Sequence, residues 1–176
     1  MWAFSDESER GGRMLFGVLM LRIGAVAGAR NELRRLLLPG QRRVHTSDES
    51  ARRRRVLLDL VAGLPGHAIV FELRRPMGVN RVEARDRLLT EAARTVVRAG
   101  VTTWTLDDQH PVQAVRDRRQ IDGAFANVEH SPAYDHRPAP AEPLLWAIDA
   151  IVWAIGAGSP WSQRIDHLVA KIEIEP

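Results

Sequence analysis

Residues 1–8, MWAFSDES, form a short apolar run that stops at two adjacent carboxylates, Asp6 and Glu7. Trp2 and Phe4 alternate with smaller residues, which is the pattern of a β-strand. The Ser-Glu-Arg-Gly-Gly that follows consists of turn-forming residues, so a β-hairpin with the next apolar run is the simplest prediction. The two acids then stand at the end of a strand, where they either belong to a solvated turn or contribute to a site.

Strand and helix patterns alternate along the rest of the chain. Further strands are predicted over residues 14–21, through Val44, over 67–73 with Arg75 and Pro76 closing it, and over 101–106. Helices are predicted over 25–38, from a cap at Thr46 or Ser47 to about residue 62, from a cap at Asn80 to Gly100, and over 143–155. This alternation predicts an α/β fold.

The remaining segments carry less periodicity. Residues 112–121 fit a helix. Residues 125–141 contain three prolines and are expected to form a long loop with at most a short strand near 127–130. Residues 161–176 fit either a helix or a strand. The length suits one domain spanning residues 1–176.

Composition excludes several classes of protein. The chain has no cysteine, which rules out disulfides, cysteine-bound zinc and a thiol nucleophile and suits a reducing cytoplasm. No apolar run approaches the length of a membrane span, and no signal segment precedes the first strand, so a cytoplasmic protein without a membrane partner is expected. The basic excess is only 25 against 22 residues, which argues little for nucleic acid.

One helix carries an isolated acid. In PLLWAIDAIVWAIGAG, residues 143–158, every position from 144 to 155 is apolar except Asp149. Trp146, Asp149 and Trp153 share one face of the helix because they are three and four residues apart. A buried carboxylate must be protonated, paired with a cation or bound to a metal, so Asp149 is either protonated, paired with an arginine or bound to a metal.

A second strand ends in two acids. The run VTTWTL, residues 101–106, stops at Asp107 and Asp108, which repeats the opening arrangement. If neighbouring strands end at one edge of the sheet, Asp6 and Asp107 meet there, and a helix packed over that edge can add Asp149. Three convergent carboxylates need cations, and oxygen ligands favour Mg²⁺ or Mn²⁺. Such ions activate water for phosphodiester hydrolysis.

The order of these segments resembles a known family. The opening strand with Asp-Glu-Ser, the apolar second strand, a short strand ending near His45, the acid after VTTWTL and the late apolar helix are similar to the bacterial domain-of-unknown-function three-thousand-eight-hundred family over nearly the whole chain. The resemblance implies a ribonuclease-H-like fold, with a mixed central β-sheet flanked by α-helices. It also implies a metal-dependent nuclease.

The resemblance assigns metal-binding roles to three acids. It places Asp6, Asp107 and Asp149 as catalytic metal ligands for Mg²⁺ or Mn²⁺. Glu7 and Asp108, which are adjacent to two of these, are candidate catalytic residues that assist them. Strand alternation points Glu7 away from its neighbour, so Asp6 is expected to face the other two ligands, whereas Glu7 need not.

Three further residues are candidate substrate contacts. Asp117 resembles a recurring acid of its segment. Many members of the family carry an acid two residues before the position of His45, and Arg43 stands there in this chain. His45 either contacts substrate or stabilises its loop.

Two functions of different classes remain open from the sequence. The first is a metal-dependent nuclease that acts on RNA or DNA. The second is a catalytically inactive ribonuclease-H-like module that binds nucleic acid or protein, with Asp149 paired to an arginine. The substitution at Arg43 favours the second function, and the other three acids favour the first. A homo-oligomer is compatible with either.

Overall fold

The computed structural model describes residues 1–74, 80–108 and 110–175. The strands in these ranges are β1 (Trp2–Arg10), β2 (Arg13–Leu21), β3 (Gly66–Arg74), β4 (Thr103–Asp107), β5 (Ala133–Arg137) and β6 (Val169–Ile174). The helices are α1 (Ile23–Arg34), α2 (Ala51–Ala62), α3 (Arg81–Arg98), α4 (Pro111–Phe125) and α5 (Pro143–Ala157). The predicted strand end at Arg75 and Pro76 lies outside the described residues.

All six strands form one mixed sheet, in the order β5-β4-β1-β2-β3-β6. β1, β2 and β3 form an antiparallel meander, whereas β4 runs parallel to β1 and β5 parallel to β4. β6 pairs parallel with β3 at the opposite edge. The predicted α/β fold is confirmed.

Helices cover both faces of the sheet. α1, α2 and α5 pack on one face, and α3 with α4 pack on the other. Successive residues of β2 enter the two cores alternately, and the strand is buried from Met14 to Leu21. Its continuous apolar run therefore reflects burial on both faces. Within the described ranges, the helices are too short or too polar to cross a bilayer.

Gly17 lets α5 approach the sheet closely. A Cβ at this position would lie 2.5 Å from Cγ1 of Val152 and 2.6 Å from Cδ1 of Ile148. Gly17 also stands directly opposite Asp6 in the β1–β2 ladder. The glycine therefore sets the spacing between Asp6 and the helix that carries Asp149.

The opening strand is longer than the sequence pattern indicates. β1 continues through Asp6 and Glu7 to Arg10, because β2 pairs with it along its whole length. Its parallel pairing with β4 stops at Ser5 opposite Leu106. Asp6 therefore follows the last paired residue of the β1–β4 ladder and is level with Asp107 at the end of β4, but it is not at the end of its own strand. The predicted hairpin is confirmed.

Three local predictions are wrong. Residues around Val44 form a loop, and α2 is capped by Ser50, whose hydroxyl accepts from the amide of Arg53 at 3.3 Å. The strand expected near 127–130 instead forms later in the chain, at 133–137, where β5 pairs with β4. The helix expected over 112–121 is α4, which continues to residue 125. The undecided last segment is β6.

Candidate functional site

One cavity brings the three predicted acids together. It has a volume of about 410 Å³ and lies beside the point where the β1–β4 ladder ends. Asp6 enters from β1, Asp107 from the end of β4 and Asp149 from α5. The site therefore combines two strands and a helix that lie far apart in the sequence.

Burial and repulsion act on Asp6. The pKa of its carboxyl is raised well above the usual range, first by burial and then by the charges of Asp149 and Asp107. The backbone amide of Glu7 donates to Oδ1 of Asp6 at 2.7 Å and partly opposes this rise. Because repulsion between the acids contributes to the shift, a cation placed among them would stabilise their charged forms.

The pKa of Asp107 is also raised, but less than that of Asp6. Burial raises the pKa of its carboxyl, and the charges of Asp149 and Asp108 raise it further. The Arg43 guanidinium and a backbone hydrogen bond from Ala139 act in the opposite direction. Asp108 lines the same cavity and is exposed, so it lies at the rim.

Asp149 is held by a threonine from a distant loop. Its Oδ2 accepts from the backbone amide of Thr46 at 2.8 Å and from the Thr46 hydroxyl at 2.7 Å. Burial raises the pKa of Asp149, and these two hydrogen bonds oppose the rise. In the described part of the chain no ion pair joins Asp149 to an arginine, so Thr46 takes the place that sequence reasoning gave to an arginine.

Arg54 holds the loop that supplies Thr46. Its Nε donates to the carbonyl of Thr46 at 2.8 Å, and its Nη2 donates to the carbonyl of Ser47 at 2.7 Å. The guanidinium also lies 4.6 Å from the ring centroid of Trp153 on α5. Sequence reasoning missed both Thr46 and Arg54, because nothing local marks a contact between positions 46 and 149.

Two basic side chains of this loop border the cavity. Arg43 lines it and is exposed, and its charge lowers the pKa values of Asp107 and Asp149. His45 also lines it, with Nε2 at 3.8 Å from Oδ1 of Asp149. Its Nδ1 lies 3.0 Å from Oδ2 of Asp48. Arg43 and His45 therefore share one cavity with the three acids, and their role as substrate contacts stays a prediction.

Two of the predicted residues belong to a different cluster. Glu7 borders the cavity, but its carboxylate pairs with Nε of Arg85 on α3. Asp117 is buried and does not line the cavity; Arg85, His136 and Gln113 all bond to it. Burial alone would raise the pKa of Asp117, but the hydrogen bonds from His136 and Arg85 lower it to about 2. Asp117 therefore lies apart from the cavity that the other predicted residues line.

The donor set suits a hard divalent cation in its chemistry. Three carboxylates supply oxygen ligands, which Mg²⁺ and Mn²⁺ prefer. Among the described residues, however, no three acidic or histidine side chains are already arranged to hold an ion. The cavity therefore contains suitable oxygen ligands, and a bound ion would relieve the repulsion between them. The described side chains are not already arranged as a metal cage.

Comparison with known proteins identifies the fold. No protein-family model matches the sequence, and no curated protein matches it. Among solved structures, a chain of the PCNA:RNase HII complex from Archaeoglobus fulgidus is similar, with a TM-score of 0.56 and 17% sequence identity over 96% of this chain and 76% of that one. The chain therefore has a ribonuclease-H-like fold. At this identity the likeness concerns the fold.

Proposed function

We propose that this protein is a metal-dependent nuclease that hydrolyses phosphodiester bonds of RNA or DNA. The observation that carries the proposal is the meeting of Asp6, Asp107 and Asp149 in one cavity. Asp6 and Asp107 lie on β1 and β4 of the sheet, and Asp149 lies on α5, which packs against that sheet. The fold is ribonuclease-H-like.

The three carboxylates would hold Mg²⁺ or Mn²⁺. A bound divalent ion supplies activation of water and stabilisation of a leaving oxygen in phosphodiester hydrolysis. The electrostatics support this role, because burial and then the charges of Asp149 and Asp107 raise the pKa of Asp6. Acids kept together at such a cost are typical of functional sites.

Other residues at the cavity would bind the substrate. Arg43 is exposed at the cavity, where its guanidinium can donate two hydrogen bonds to a phosphate group. His45 and Asp108 lie at the same opening. Glu7 has a positioning role in this proposal: its amide holds Asp6, and its carboxylate is anchored by Arg85.

A catalytically inactive binding module is the second candidate. Two observations favour it: Arg43 brings a fixed positive charge among the acids, and the described side chains form no ready metal cage. In that case the cavity would bind a phosphate backbone or a protein partner without cleaving it. The two candidates share a fold and differ in whether divalent metal produces cleavage.

A cleavage assay tests the proposal. Labelled single-stranded and double-stranded RNA and DNA are incubated with the protein in Mg²⁺, in Mn²⁺ and in EDTA. We expect metal-dependent cleavage that falls about a hundredfold or more in Asp6→Asn and Asp149→Asn. Glu129→Gln is the matched control, because the Glu129 side chain is 92% exposed and remote from the cavity lining. Absence of metal-dependent cleavage on every substrate would leave the binding module as the better account.

A further inference from the structure

We propose that two copies of this chain associate through β6, which pairs antiparallel with β6 of a second copy across a two-fold axis at Ile172. One sheet would then run continuously through the dimer. Three observations support this: the strand has an open edge, its backbone groups point towards that edge, and its side chains form a self-complementary charge pattern.

The edge of β6 is open in the described structure. β6 is the last strand of the sheet and pairs with β3 on one side, and in the described ranges no strand lies on its other side. Residues 170–173 are all exposed, and Ile172 keeps 39% of its surface accessible. Such an edge presents N–H and C=O groups that can pair with another chain.

Alternate residues of β6 direct their backbone groups towards the open edge. The amide of Ala68 on β3 donates to the carbonyl of Leu168 at 2.9 Å, so the backbone of Leu168 faces β3. Because this direction alternates along a strand, the N–H and C=O groups of Lys171 and Glu173 face away from β3. Lys171 and Glu173 are therefore available for hydrogen bonds to a second copy.

Charge complementarity selects the register. When Lys171 lies opposite Glu173 of the second copy, symmetry creates a second such pair, and the two outward-facing residues of each pair exchange both backbone hydrogen bonds. Ile172 then meets its counterpart on the axis, and Ala170 lies opposite Ile174. Centring the axis on Lys171 or on Glu173 would instead place like charges directly opposite each other, which destabilises a sheet.

Lys171 has an ion-pair partner within its own chain, Asp166, which does not prevent pairing with a second copy. Nζ lies 3.8 Å from Oδ1 of Asp166, and the two side chains are 50% and 52% exposed. Exposed pairs of this kind contribute little to stability. Lys171 is also the only lysine of the chain. A lysine on an edge strand can alternatively keep chains apart, so the oligomeric state distinguishes the two roles.

Sedimentation equilibrium of the full chain tests the proposal. We expect a reversible dimer with a dissociation constant on the order of 10 µM, as suits a small interface. Glu173→Lys and Lys171→Glu each turn both attractive pairs into repulsive ones, so each should weaken the dimer about tenfold or more. The double variant Lys171→Glu/Glu173→Lys restores opposite charges and should restore the dimer.

A matched control separates pairing from net charge. Glu129→Lys makes the same charge change as Glu173→Lys at a side chain that is 92% exposed and outside the sheet, and it should leave the dimer unchanged. Circular dichroism spectra of the variants should match the wild type. A wild-type chain that stays monomeric at 1 mM protein, roughly a hundredfold above the expected constant, overturns the proposal. So does a dimer that both single variants retain.

Discussion

Thr46 donates two hydrogen bonds to a single oxygen of Asp149, from its backbone amide at 2.8 Å and from its hydroxyl at 2.7 Å. The two residues are 103 positions apart in the chain. Their contact fastens the loop that carries Arg43 and His45 to α5, so it helps to form one wall of the cavity.

Replacing Thr46 by valine should therefore destabilise the protein. The change keeps the shape of the side chain but removes the hydroxyl donor from a buried carboxylate. A hydrogen bond to a charged group contributes about 1.5–3 kcal/mol, so we expect a loss in that range by urea denaturation at neutral pH. Thr46→Ser keeps the hydroxyl and should lose clearly less; equal losses in the two variants would contradict the role of the hydroxyl.

Gly17→Ala should push α5 away from the sheet. The added Cβ would meet Cγ1 of Val152 at 2.5 Å and Cδ1 of Ile148 at 2.6 Å. Overpacking of this kind costs about 1–3 kcal/mol, which thermal or chemical denaturation can measure. The control is Gly28→Ala in α1, where a Cβ has open space within 4 Å and alanine favours the helix. If Gly17→Ala leaves the free energy of unfolding unchanged, α5 is not held at this spacing.

Asp6→Asn should stabilise the metal-free protein. The substitution removes a buried charge that Asp149 and Asp107 repel, while an amide of similar shape remains. A single stabilising substitution commonly adds about 0.5–2 kcal/mol, and we expect a gain of this size at pH 7 in EDTA. Mg²⁺ should raise the stability of the wild type but not of Asp6→Asn. If Asp6→Asn is no more stable than wild type in EDTA, the carboxylates do not strain the fold.

The buried cluster around Asp117 should make the stability of the protein depend on pH in the acidic range. The folded-state pKa of Asp117 is about 2, below the ordinary value of 3.8. Because the folded pKa is lowered, its stabilising contribution is present above pH 4 and is lost as the pH falls towards 2. Urea denaturation of the wild type should show this loss, and Asp117→Asn should show a flatter profile in the same interval. Parallel profiles would contradict the assignment.

Removal of Arg85 should destabilise the protein much more than removal of an arginine in an exposed pair. It is buried and pairs with both Glu7 and Asp117, so Arg85→Met leaves two carboxylates without their common partner. Breaking a buried pair in this way costs about 3–5 kcal/mol. Arg94→Met removes an exposed pair with Glu91 and should cost less than about 1 kcal/mol. Similar losses in the two variants, measured by urea denaturation, would argue against an energetic role for the cluster.

Much of the fold follows from local sequence patterns. The β2 run and the apolar stripe of α3 appear where the patterns place them. The failures lie where pairing between distant segments overrides local preference. β1 extends through its acids because β2 pairs with it, and β5 forms in a proline-rich segment because β4 offers an edge.

The site was predictable only in part. Asp149 was conspicuous because it stands alone in an apolar helix, and the acids that follow apolar strand patterns indicated Asp6 and Asp107. The partner of Asp149 was not predictable, because Thr46 resembles an ordinary helix cap. The buried pairing of Asp117 was not predictable either, because its arginine partner lies 32 positions away on another helix.

The most direct test of the central claim is calorimetric titration of the metal-free protein with Mn²⁺. If Asp6, Asp107 and Asp149 hold one shared cation site, the wild type and Glu129→Gln should bind alike. Replacing any one of the three acids by asparagine should weaken binding roughly tenfold or more. Absence of binding to the wild type, or unchanged binding in the three asparagine variants, would contradict the account.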